Sequence, residues 1–147
     1  MLTSTPKIEI ASQLLDIALR HYFSEPPEYF AAICLAGAAE ELLGRHVEAR
    51  GGESSLSSIK NSAVRLSRFL DEKGEPATEK VIHNLMNKAK NSTKHMNGSV
   101  DSTVFFDPKA EAKDLLDRGV TNYYQLMAHY ELKETDLLTR FNNERGE

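Results

Sequence analysis

Apolar residues recur at intervals of three and four along nearly the whole chain, and runs that alternate apolar with polar residues are almost absent. The pattern predicts an all-α protein. A first helix is expected over about Lys7 to Phe23, with Ile10, Leu14, Ile17, Ala18 and Tyr22 inward and Pro26-Pro27 closing the connection that follows. A second begins near Pro27 and reaches about Arg50. Its apolar residues (Phe30, Ile33, Cys34, Leu35, Leu42, Leu43, Val47) surround much of the circumference, as in a helix packed on several sides. Ala31, Ala32, Ala36, Gly37, Ala38 and Ala39 let neighbouring helices come close to it.

Gly51-Gly52 stops this helix, and Leu56, Ile59, Ala63, Leu66 and Leu70 mark the inner stripe of a third, ended by Gly74 and Pro76. A fourth is expected from about Thr78 to Met96, with Ile82, Leu85, Met86, Ala89, Thr93 and Met96 on one side and Asn97-Gly98 as its stop. Val104-Phe105-Phe106 reads as a short extended piece whose aromatics dock on the bundle. Asp107-Pro108 is a cap and first-turn pair for a helix to about Tyr130, with Ala112, Leu115, Leu116, Val120, Tyr123 and Met127 inward. A short last helix spans about Thr135 to Asn142. The expectation is an up-and-down bundle of five to six helices around a central alanine-rich one: a single domain over 1–147, frayed at about 1–6 and 143–147.

A chain of 147 residues buries roughly 70% of its unfolded surface, enough for one core without metal or disulfide staples. The single cysteine, Cys34, allows no internal disulfide and no thiolate zinc cage, and with no signal-like segment this points to the cytoplasm. The longest mostly apolar stretch, Tyr29 to Ala39, is too short for a bilayer, so no membrane partner is expected. The net charge of -4 argues against a general nucleic-acid coat. It is unevenly spread: from Arg45 to Lys94 there are ten Lys or Arg against six Asp or Glu, so a basic middle lies between acidic flanks.

No glycine-rich phosphate loop, Gly-x-Ser-x-Gly elbow or His-Glu-x-x-His pair is present, and the five histidines lack metal-ligand spacing, so no metal and no cofactor is expected. Cys34 on the packed helix reads as a small core residue. Glu41 falls on the line of Phe30, Cys34 and Gly37, which sets a carboxylate among apolar neighbours, with Arg45 one turn later as its local partner. On the fourth helix Asn84, Lys88, Asn91 and His95 form one polar stripe, and His83, Asn87, Lys90 and Lys94 a second beside it. Ammonium, amide and imidazole groups on one accessible face suit a phosphate, and equally a solvated helix surface.

Two segments carry a resemblance. Tyr29-Phe-Ala-Ala-Ile-Cys-Leu-Ala-Gly-Ala-Ala-Glu-Glu-Leu-Leu-Gly44, followed by Arg45, and Lys90-Asn91-Ser92-Thr93-Lys94-His95 resemble the central helix and the later basic-to-histidine motif of the HEPN domains, the higher-eukaryote-and-prokaryote nucleotide-binding family of helical bundles. The likeness covers about Ala11 to Met96. It implies a homodimer with the motif lining a shared cleft, RNA or nucleotide as ligand and, in active members, metal-independent RNA cleavage. His95 would then move protons, while Lys90 and Asn91 would position the phosphate. Asn84, Lys88 and Lys94 would add ligand or partner contacts, and Glu41 with Arg45 would support them. The chain departs from the family in having Lys90 where its ribonucleases have arginine; lysine keeps the charge and loses the planar fork. Three roles stay open: binding without catalysis, dimerisation or interaction with another protein, and an active endoribonuclease.

Overall fold

The computed structural model describes residues 1–70 and 78–146. Among these residues the chain forms seven helices and no strand: α1 Lys7–Phe23, α2 Tyr29–Ala49, α3 Ser55–Leu70, α4 Glu79–Met86, α5 Lys88–Lys94, α6 Pro108–Leu126 and α7 Asp136–Arg145. The extra helix arises because the expected fourth one is divided at Asn87. None of the helices described is long and apolar enough to cross a membrane.

Helix α2 is central, packed between α1 and α6. Its alanines explain the position: Ala32, Ala36 and Ala39 are fully buried, so backbones rather than long side chains set the spacing. Gly119 gives α6 the same closeness, since a Cβ there would lie 3.4 Å from Leu15 Cδ1 and 3.8 Å from Glu40 Cβ. Around this contact Leu15, Leu19, Ile33, Leu43, Leu116, Val120, Tyr123, Leu126 and Phe141 form the core. Full burial of each large apolar side chain contributes about 1.5–3 kcal/mol.

On α1 the inner face is Ala11, Leu15, Ala18, Leu19 and Tyr22, while Ile10 is exposed. The expected stripe is thus turned by about one residue. The small Ala11 and Ala18 are fully buried, while the bulkier Leu14 is partly buried and Ile10 exposed. On α3, Ile59 and Leu66 stay exposed instead of lining the core. Leu70's side chain and the expected stop at Gly74 and Pro76 lie outside the described residues.

Caps and side-chain ties fix the connections. Ser54 Oγ accepts from the Ser57 N–H at 3.2 Å, and the Ser55 N–H donates to Asn122 Oδ1 at 2.8 Å. Asn122, fully buried, also donates from Nδ2 to the Glu40 carbonyl at 3.4 Å, so one side chain on α6 joins α2 to the start of α3. Asp107 caps α6 as expected, by accepting from the Lys109 and Ala110 N–H groups. That helix ends at Leu126, short of the expected Tyr130. Tyr123 Oη donates to the Lys133 carbonyl at 2.6 Å and holds the connection to α7. The expected frayed tail is instead helical to Arg145, whose guanidinium donates to Asp117 Oδ1 at 2.9 Å and Thr121 Oγ1 at 2.8 Å.

Replacing Asn122 with alanine leaves a buried N–H at Ser55 without its acceptor. The expected loss is about 1–3 kcal/mol of unfolding free energy, measured by guanidinium titration.

Candidate functional site

Two depressions flank α5, and the residues expected to form one site are divided between them. The first, about 190 Å³, lies against α2 and is lined among others by Glu40, Glu41, Arg45, Lys60, His83 and Lys90. Beneath it is a buried charged cluster. Glu40 on α2 is 2% exposed, Arg118 on α6 3%, Lys90 on α5 7% and Asn87 2%. Arg118 Nε stands 3.5 Å from Glu40 Oε1. Lys90 Nζ stands 3.9 Å from Glu40 Oε2 and 3.6 Å from Glu41 Oε2. Room for the lysine stem comes from Gly37, where an added Cβ would lie 2.6 Å from Lys90 Cγ and Cδ.

Arg118 also explains the division of the fourth helix. Its Nη1 donates to the Met86 carbonyl and its Nη2 to Asn87 Oδ1, both at 3.3 Å. Asn87 in turn donates from Nδ2 to the His83 carbonyl at 3.1 Å. These bonds occupy backbone and side-chain groups at the junction, where Asn87 leaves helical geometry at φ -105°, ψ 5°. The polar stripe His83, Asn87, Lys90 and Lys94, expected on an accessible face, therefore has its two middle members turned inward.

The ion pairs are long, and both Glu40 Oε2 and Arg118 Nε are buried without a hydrogen-bond partner. Burial pushes the Glu40 carboxyl above the usual carboxylate range, against the opposing pull of Arg118, Lys90 and His83; Glu41 pushes it further up. Desolvation outweighs attraction here, as expected where two cations approach a carboxylate without bonding to it.

The second depression, about 410 Å³, is lined by Lys88, Asn91, Ser92, His95, Asn97 and Asp101. Lys88, Asn91 and His95 are exposed, and His95 ends α5 in extended backbone. The Asn97 N–H donates to Asp101 Oδ2 at 2.8 Å, which folds the following loop back on itself. Asn84 and Lys94 are exposed and line neither depression.

Two expected arrangements are corrected. Lys90 and His95 do not share a site: the lysine points into the bundle and the histidine to solvent. Glu41 and Arg45 do not pair with each other, because Arg45 lies 3.5 Å from Glu48 and Glu41 faces Lys90. The buried acid is Glu40. Its place was readable from Ile33, Ala36 and Leu43, which share its stripe on α2, and Arg118 shows itself as a charge amid Leu115, Leu116 and Val120. Among the described residues no group of three or more His, Cys, Asp or Glu side chains is placed to hold a metal ion. No family model, curated protein or solved structure matches this chain.

Two measurements test this geometry. Gly37→Ala sets a methyl against the lysine stem and is expected to lower stability by about 1–3 kcal/mol, read by denaturant unfolding. A raised Glu40 pKa means that the folded chain holds this proton more tightly than the unfolded one. Its contribution to stability is then greatest at acidic pH and falls as pH rises from the ordinary carboxylate range through the raised value. Urea titrations from about pH 4 to about pH 7 should show wild type losing stability relative to Glu40→Gln as pH rises. The opposite slope rejects desolvation as the dominant effect.

Proposed function

We propose that this protein is a HEPN-like helical module that binds the phosphate groups of a nucleotide or RNA through Lys88, Asn91 and His95, without cleaving them. The observation that carries the reading is the convergence of these three side chains on one open depression. Neither Lys88 nor His95 has an ion-pair partner among the described residues. An ammonium, an amide and an imidazole so placed offer donors to phosphate oxygens, and the Lys88 ammonium supplies the attraction.

Binding is favoured over catalysis because Lys90, the residue the resemblance assigns to clamping phosphate beside His95, is held by Glu40 and Glu41 inside the bundle. An acid on the central helix facing the basic residue of the later motif also supports the resemblance itself. With Lys90 turned away, the pairing of Lys90 with His95 that the resemblance assigns to stabilising charge on a scissile phosphate is not formed.

A second reading, a homodimer or protein-interaction bundle, draws on a different observation. Ile59 and Leu66 on α3 and Val81 and Leu85 on α4 remain exposed, and exposed apolar side chains at helical spacing mark association surfaces. Sedimentation of wild type beside Leu66→Glu and Leu85→Glu tests it: a dimer that survives both changes does not use these helices.

The phosphate reading is tested by fluorescence anisotropy with labelled RNA. Lys88→Glu and His95→Ala are each expected to weaken binding about tenfold, a loss of about 1.4 kcal/mol. Lys88→Ala should lower the slope of log affinity against log salt by about one. RNA should remain intact in chelator. Unchanged affinity in both Lys88→Glu and His95→Ala rejects this site, and cleavage that requires His95 restores the endoribonuclease reading.

A further inference from the structure

The loop between α5 and α6 keeps most of its apolar side chains outside. Met96, Val100, Val104 and Phe105 are all exposed, Phe105 completely. Its neighbour behaves differently: Phe106 turns in, with its ring centroid 6.1 Å from that of Phe30. Of the two phenylalanines expected to dock, one does and one does not. The loop end that presents Phe105 is fixed by the Phe106 anchor and by Asp107 at the start of α6.

The same loop supplies Asn97 and Asp101 to the depression that holds Lys88, Asn91 and His95. From Asp101 to Phe105 is four residues, a span of at most about 14 Å. A fully exposed aromatic ring is thus carried on the same loop whose earlier residues line the depression with Lys88, Asn91 and His95. Lys94 adds another exposed cation at the end of α5.

An exposed phenylalanine gains nothing for the fold, yet its face suits one ligand chemistry that the cations of α5 also suit. Nucleobases freed from a duplex stack on aromatic faces whatever their identity, while lysines attract the backbone. Within a duplex the bases are already stacked on one another and present only their edges.

We propose that Phe105 is a base-stacking residue and that the ligand of the α5 face is single-stranded nucleic acid rather than a duplex or free phosphate. This rests on the phosphate reading above and gives it a substrate class.

Labelled single-stranded RNA and the duplex of the same sequence, titrated against wild type, Phe105→Ala, Phe105→Trp and Lys88→Glu, separate the two claims. Wild type should prefer the single strand. Phe105→Ala should bind the single strand about five- to a hundredfold more weakly and the duplex as before, Phe105→Trp should retain binding, and thermal unfolding should not move. Full single-strand affinity in Phe105→Ala, with loss in Lys88→Glu, overturns the stacking role and leaves the phosphate reading standing. Wild type that binds neither RNA overturns both. If Phe105→Ala instead abolishes self-association in sedimentation and leaves RNA affinity unchanged, the ring belongs to a protein interface and the proposal fails.

Discussion

A carboxylate held out of water between two cations organises this molecule. Glu40 on α2 is approached by Lys90 from α5 and by Arg118 from α6. Taking one partner away would leave an uncompensated charge in a low-dielectric interior, which is far more costly than never having buried the group. Much of the local architecture serves that arrangement: Gly37 clears the lysine stem, Gly119 brings α6 close to Glu40, and Arg118 extends the network to the junction before α5.

This network gives α5 two unlike sides. Inward, Ala89 and Lys90 attach it to the bundle; outward, Lys88, Asn91 and His95 face solvent around a shallow depression. Residues adjacent in sequence thus do unrelated jobs, because successive positions on a helix are about 100° apart. Acids in the interior take up Lys90, while Lys88 on the outer side has no ion-pair partner among the described residues.

Periodicity revealed the helices, their order and the centrality of the alanine-rich one, since those follow from where large and small apolar residues recur. Rotation about each axis was harder to read. Glu40 and Glu41 are chemically alike and differ by one position, and the stripe of Ile33, Ala36 and Leu43, which marks Glu40, competes with that of Phe30, Cys34 and Gly37, which points to Glu41. The stripe of α1 was misplaced for a related reason: alanines bury as readily as isoleucine when the opposing surface is built of alanines. The division at Asn87 depends on Arg118, 31 residues away, and no local signal announces it. Of the expected stripe Asn84, Lys88, Asn91 and His95, the last three line one depression, while Asn84 lies on α4, on the other side of the division at Asn87, and does not. Phe105 was read as a docking residue, since sequence alone does not say which of two adjacent rings turns inward.

Helix α5 has seven residues, too few to persist in water on its own, as isolated helices below about 12–15 residues are marginal. It exists because Ala89 and Lys90 are docked. The residues that attach it and those that face outward are therefore different sets, so substitutions at Lys88, Asn91 or His95 change the outer surface with little effect on whether the helix forms. Such a division lets the chemistry of this face change over evolution while the bundle behind it stays constant.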